Sequence, residues 1–232
     1  MIEINYYYLY SYLNCQLKSQ HNDMIDIAKK HKLLREDFFQ ALSTLLTEAE
    51  WNKSLFKLAE EKCAFSKNYH HILFPEGDTK IIDGFEEWQD HKMLELLAKE
   101  ELKSKIREKI AKALEVRIIN IVPKSVSLKQ NALFLLPCNL LLGAKSYART
   151  CDLIWRYAGD KSDDFNYYSK RGLLLAVYTS ARLFYLSDDS KEFIKTKEFI
   201  ATSLENIINI AKIKTKIKLP SIEDIPVVRV LI

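Results

Sequence analysis

The chain has 232 residues, with only 5 glycines and 5 prolines, 48% hydrophobic residues and a formal net charge of +4. That length can bury a proper core as one domain or two small ones, and the composition favours helices with short connections over sheets. So mild a charge gives no ground for a nucleic-acid partner, and the longest uncharged apolar stretch, Ala132 to Leu142, is far short of the roughly 20 residues that span a bilayer.

Charge is uneven along the chain. Residues 34–85 carry a net −3, residues 99–129 a net +5 and residues 191–218 a net +4. The four cysteines, Cys15, Cys63, Cys138 and Cys151, fall in no metal or redox spacing and read as reduced core residues.

Residues 1–32 are polar and Tyr-rich with weak periodicity, and are expected to form an extension of uncertain order. The start, Met1-Ile2-Glu3-Ile4-Asn5, has an early acid and no basic n-region, which predicts neither a secretory signal nor an import peptide. From Leu34 the helical period is clear, with Phe38, Ala41, Leu42, Leu45 and Leu46 on one stripe. Trp51-Asn52-Lys53-Ser54 opens a second helix, with Leu55, Leu58, Ala59 and Cys63 facing inward. Ser66 caps a short third helix that Pro75-Glu76-Gly77-Asp78 ends. Three short helices in residues 33–85 have helix-turn-helix proportions.

A longer helical region covers Ile81 to Ala98 and Lys99 to Ile121, broken by Pro123. Ser127 to Pro137 and Cys138 to Tyr157 form the next pair, with Pro137 as a joint. A helix from the 157–171 region to Ser187 and a last one from Glu192 to Ile213 complete a larger domain, 86–213. Pro220 and Pro226 exclude a long helix in the tail, 214–232.

The segment Tyr157 to Arg171 stands out. It gathers three acids, three tyrosines and the adjacent bases Lys170 and Arg171 around a Gly-Asp turn, and an uncharged run, Gly172 to Tyr178, follows at once. No enzyme constellation is present: there is no glycine-rich phosphate loop. The neighbours His70 and His71 point about 100° apart on a helix, unlike i,i+4 metal pairs. Glu87 and His91 have i,i+4 spacing but no second pair to complete a site. Asp163 and Asp164 read as dipole-matched acids at a helix start, with Ser162 or Asp160 as cap. Neither catalytic residue, nor metal, nor cofactor is expected. DNA reading requires a basic face, which residues 34–85 lack.

Several motifs lie in order over residues 33–210: Leu73-Phe74-Pro75-Glu76-Gly77, Lys105 to Ile110, and Leu135-Leu136-Pro137-Cys138-Asn139. Asp152-Leu153-Ile154-Trp155, Ala158-Gly159-Asp160, Asp164 to Arg171 and Ala176-Val177-Tyr178 follow. In these the chain resembles the ubiquinone-biosynthesis lipid-binding proteins, the ninth of the coenzyme Q series, whose fold is like that of tetracycline-type repressors. The resemblance implies an all-α homodimer with a degenerate helix-turn-helix domain that binds no nucleic acid. It also implies an apolar lipid pocket in the C-terminal domain. Such a protein is not an enzyme; it presents an isoprenoid quinone precursor to the di-iron demethoxyubiquinone hydroxylase.

Mapped on this chain, the partner patch comprises Asp152, Ile154, Tyr157, Asp164, Tyr167, Tyr168 and Arg171. Tyrosine and arginine suit such a role, because they anchor interfaces. The pocket is expected to be lined by Leu136, Leu140, Leu174, Val177, Tyr178 and Ala181, although a Leu-rich helix is more commonly plain core. A repressor with an apolar effector pocket is the alternative reading.

The tail departs from the additional amphipathic helix that some members of the family carry. Its alternating Lys212, Lys214, Lys216 and Lys218 beside Val227 to Ile232 leave three readings open: peripheral membrane contact, a solvated tail, or a strand-like contact with the body. With no import signal read at the start, a bacterial cytoplasmic form is expected.

Overall fold

The computed structural model describes residues 6–100, 105–160 and 165–216, and only the backbone for 6–25, 165–167 and 208–216. The fold is all-α: nine α-helices and no strand occur among the described residues. They are α1 (Tyr6–Leu45), α2 (Lys53–Lys62), α3 (His70–Leu73), α4 (Asp78–Ala98) and α5 (Ile106–Glu115), then α6 (Lys124–Leu135), α7 (Leu140–Tyr157), α8 (Phe165–Ser187) and α9 (Ile194–Lys216). The chain divides into two compact units, Met1–Trp88 and Gln89–Ile232, within α4.

Two elements differ from expectation. The helix predicted from Leu34 is continuous back to Tyr6, so an extension of uncertain order gives way to one long helix. No Gly or Pro interrupts residues 6–45, so nothing in the backbone chemistry stops it. The helix expected from Lys99 begins instead at Ile106 and ends in a π turn, Val116–Asn120. Most of the predicted 214–232 tail lies outside the described residues.

In the first unit, Phe38, Ala41, Leu42 and Leu46 of the expected stripe are buried, and so is Phe39. The rings of Phe38, Phe39 and Phe74 cluster with centroids 5.3–6.2 Å apart, and Phe85 and Trp51 extend the group. A Cβ on Gly84 would sit 2.7 Å from Phe39 Cζ, so only glycine lets α4 approach that ring. Asn52 caps α2, its side-chain oxygen accepting from the Ser54 and Leu55 amides at 2.8 and 3.0 Å. Arg35 donates to the Leu73 carbonyl, which closes α3.

His70 pairs with Glu60. It is buried, with Nδ1 2.5 Å from Glu60 Oε1, and Glu60 also accepts from the amides of His70 and Asn68. Burial works against the charged Glu60 carboxyl, but these hydrogen bonds outweigh it and hold the group below its ordinary range.

In the second unit, α8 lies between α7 and α9, and α5 packs on both of those. A polar network fixes the interior. Arg117, buried within the π turn, donates to Asp90 at 2.8 Å and to Gln89 at 2.7 Å, and Thr150 donates to Asp90 at 2.8 Å. Arg182 donates to the Tyr178 hydroxyl at 2.9 Å and lies over the Tyr147 ring. At the far end of α8, the Asp188 carboxylate accepts from the amides of Ser190 and Thr196 and from the Thr196 hydroxyl, which ties α8 to α9.

Among the described cysteine side chains, the expectation of a core position holds for Cys151. Burial, with Asp90 nearby, pushes its thiol up to about 12. Cys138 is exposed beside Pro137 and Cys63 is half-buried, while the Cys15 side chain lies outside the described residues.

Candidate functional site

The site grows from the way α7 stops. Gly159 adopts φ +94°, the left-handed conformation that a helix C-terminus requires and that glycine adopts without strain. The Asp160 amide then donates to the Trp155 carbonyl and the Gly159 amide to the Arg156 carbonyl, each at 3.0 Å, which closes a Schellman motif. Ala-Gly-Asp is therefore the stop signal of α7, and it aims the Asp160 side chain back at α8.

There Asp160 meets both bases of the opening turns of α8. Lys170 Nζ donates to it at 2.7 Å and Arg171 Nη1 at 3.2 Å. Arg171 Nε also donates to Asp152 at 2.6 Å, and Asp152 accepts from Arg156 at 2.6 Å one turn along α7. The Arg171 side chain is only 12% exposed. Paired between two carboxylates, it fastens α8 to α7.

The expected partner patch is thus brought together only in part. Asp152 and Arg171 are joined, Tyr157 is half-buried nearby, and Tyr168 is 71% exposed on the outer side of α8. Burial, with Glu100 nearby, pushes the Tyr157 hydroxyl up. Ile154 corrects the list: it is fully buried, two residues from Asp152 and hence on another side of α7, where no partner can reach it. Asp164 and the side chain of Tyr167 lie outside the described residues.

Beneath this network lies a cavity of about 570 Å³ with an almost wholly apolar wall. The start of α5 contributes Lys105, Ile106, Arg107 and Ile110, α7 contributes Trp155, α8 contributes Lys170, Leu173 and Leu174, and α9 contributes Leu204 and Ile207. Its volume falls within the range of small-molecule sites. Trp155 belongs to cavity and network alike. Its Nε1 donates to the Lys170 carbonyl at 3.1 Å, and Lys170 Nζ lies 5.6 Å from the centre of its ring.

Of the expected lining, Leu174 alone faces this cavity. Val177, Tyr178 and Ala181, further along α8, are buried in core contacts, because the space there is filled by Tyr147 and the Arg182 network. Leu136 is exposed at the α6–α7 joint, and Leu140 borders a smaller cleft of about 220 Å³ with Leu135 and Leu183. Sequence reasoning missed Trp155, Leu173 and the α5 residues. A usable signal existed for the first two, since they flank the Tyr157–Arg171 segment.

Among the described residues no group of three His, Cys, Asp or Glu could hold a metal ion, and no helix is long and apolar enough to cross a membrane.

The class these features define is an all-helical protein with an apolar cavity set against an ion-paired helix junction. Over residues 141–211, from α7 through most of α9, the chain matches the COQ9 family model, and the resemblance read from the motifs is borne out. A probable ubiquinone biosynthesis protein coq9, mitochondrial, from Dictyostelium discoideum is 40% identical over 114 residues, 48% of this chain and 37% of the relative. The ubiquinone biosynthesis protein COQ9, mitochondrial, of Homo sapiens is 30% identical over 87 residues, 38% of this chain and 27% of the relative. COQ9-A of Xenopus laevis is 30% identical over 137 residues, 55% and 43% respectively. The matched stretches therefore span less than half of each relative's length.

These names overturn the expected bacterial cytoplasmic form, since the relatives are mitochondrial proteins of eukaryotes. The expectation rested on one early acid and a missing basic run, which do not report a compartment.

Proposed function

We propose that this chain is a non-enzymatic accessory protein of ubiquinone biosynthesis. It holds an apolar, isoprenoid part of a quinone precursor in the α5–α9 cavity and presents it to the di-iron demethoxyubiquinone hydroxylase. The observation that carries this reading is the position of the cavity. Its α7, α8 and α9 walls belong to the COQ9 segment, and they abut the turn where Tyr168 stands exposed. An exposed tyrosine a few residues before two ion-paired bases on α8 suits docking, because large contact area comes at low entropic cost. The COQ9 relatives are named for ubiquinone biosynthesis, which supplies the pathway.

The working form proposed is a homodimer built like the tetracycline-type repressors. The outer face of α8 supports it: Gly172, Ala176, Ser180 and Leu183 are exposed, with no charged residue on that face. Light scattering of the full chain tests the dimer, and a monomer at micromolar concentration would exclude it. A repressor reading gains nothing from α3, a single turn of four residues that carries the buried His70 and is too short to read a major groove.

Native mass spectrometry of the full chain, offered a polyprenyl phenol, tests the lipid reading. The wild type is expected to retain the ligand, and Leu173→Trp, which fills the cavity, to retain at most a tenth as much. Equal retention by both would remove the cavity from the reading.

A further inference from the structure

We propose that the joint between α6 and α7 is a membrane-contact surface, seated in the headgroup layer of an anionic bilayer. The observation behind it is that α6 is built inside out. Ser127, Gln130 and Asn131 are buried with Val126 and Phe134, whereas Leu128, Ala132 and Leu135 form an exposed stripe at i, i+4 and i+7. The polar residues turn inward because partners await them there. Gln130 accepts from Gln89 at 3.0 Å, and the Asn131 side-chain oxygen accepts from the Tyr147 hydroxyl at 2.7 Å. The leucines are left for the outside.

Leu136, Leu140 and Leu141 are exposed across the joint, and Leu135 and Leu140 border one cleft. Side-chain contacts fix this turn. Asn139 is buried, and its side-chain amide donates to the Leu133 carbonyl at 3.2 Å. Phe134 fills the notch at Gly143, where a Cβ would sit 2.8 Å from Cγ of that ring. With Phe134 turned in, its neighbours Leu135 and Leu136 stand outside.

Charge selects what covers them. From Val116 to Cys151 the sequence has no Asp or Glu. Lys129 follows Leu128, and the exposed Lys145 stands one turn after Leu141 on the same face of α7. The acids at the outer ends of the two helices are engaged: Asp189 meets Lys124, and Asp152 meets Arg156 and Arg171. Apolar area edged by basic residues is the combination that holds a protein on anionic lipid. A second copy fits this face less well, because a twofold contact here would bring like charges together. A protein partner fits less well too, since the exposed residues of 124–145 include no Tyr, Trp or Arg, the usual interface anchors. Leu141 and Trp155 are about 21 Å apart along α7, so the joint is remote from the α5–α9 cavity and its role does not depend on what fills it.

The test is flotation of the full chain with vesicles of phosphatidylcholine alone and of phosphatidylcholine mixed equally with phosphatidylglycerol. The wild type is expected to bind the anionic vesicles about tenfold better, the effect of a pair of basic residues at such a surface. Leu135→Ser with Leu141→Ser should lower that binding about tenfold, whereas Leu135→Phe with Leu141→Phe keeps it. Both leucines are exposed, at 71% and 67%, and circular dichroism checks that the variants remain helical. Lys129→Gln with Lys145→Gln should remove most of the preference for anionic lipid. The basic tail is the rival contact, so Lys212→Gln, Lys214→Gln, Lys216→Gln and Lys218→Gln are combined in one chain, which is expected to keep vesicle binding. Complete loss of binding in that chain gives the contact to the tail and overturns the assignment. No binding by the wild type, or binding that the serine pair leaves unchanged, overturns it as well. A serine pair that dissociates the protein in lipid-free buffer, by light scattering, gives the face to a second copy and also overturns it.

Discussion

The two ends of α8 are made of similar residues and do different things. Its far half, Tyr178 to Ser187, is filled: Tyr178 and Tyr185 are fully buried, Arg182 is surrounded by aromatic rings, and Asp188 locks the turn into α9. Its near half, up to Leu174, is held from outside by the Asp152–Arg171–Asp160 chain of ion pairs and is open beneath, where Leu173 and Leu174 face a cavity. One end is stabilised by packing and the other by tethers. The 570 Å³ cavity lies where tethers replace packing.

The largest effect should come from breaking the packed end. Tyr178→Ala removes a fully buried ring, and chemical denaturation should show a loss of about 3–5 kcal/mol. A loss below 1 kcal/mol would mean that this end is no more packed than the other. At the tethered end, Arg171→Ala leaves Asp152 and Asp160 without their shared base. Given its partial exposure, about 1–2 kcal/mol is expected. That loss makes Arg171→Ala a poor probe of docking, because weaker partner binding would follow from a loosened helix.

The pH response should separate the ends further. Burial disfavours the charged Asp188 carboxyl, but hydrogen bonds from Ser190 and Thr196 prevail and hold it well below the usual carboxylate range. A depressed folded-state value means that its stabilisation is complete above the unfolded value of about 3.9 and is lost as pH falls toward the folded one. Asp188→Asn should therefore flatten the acid limb of a stability–pH profile. An unaltered limb would refute the assignment. The smallest change in stability belongs to Tyr168→Ala, within about 0.5 kcal/mol for so exposed a side chain. It should nonetheless weaken hydroxylase binding at least tenfold by calorimetry, and unchanged affinity would take Tyr168 out of the patch.

Much of this could be read in the sequence, for identifiable reasons. The Phe38–Leu46 stripe and the Asn52 cap are local signals, fixed by helical period and by one side chain meeting the amides next to it. The Ala158-Gly159-Asp160 turn was visible as punctuation, though its use, aiming Asp160 at Lys170 and Arg171, depends on how α8 returns past α7. The cavity was not legible. Leu174 and Val177 are chemically alike and lie on neighbouring turns, and only the neighbours supplied by other helices make one a wall and the other core. Ile154 entered the patch through the resemblance, and a step of two residues from Asp152 turns its side chain to the buried side of α7. The long α1 was hidden because a helix without a strong apolar stripe gives little periodic signal, even when nothing breaks it.

Trp155 has a practical consequence. The chain has three tryptophans, and Trp51 and Trp88 lie in the first unit, leaving Trp155 as the one in the second. Its indole is at once cavity wall, hydrogen-bond donor to the Lys170 carbonyl and platform for the Lys170 ammonium. A chain with Trp51 and Trp88 replaced by phenylalanine would carry its own optical gauge, whose emission reads cavity filling and junction geometry together. If filling changes the emission by moving Lys170, linkage requires a partner that grips the junction to alter cavity affinity by the same factor. One fluorophore could then follow cavity filling and a partner's grip on the junction together.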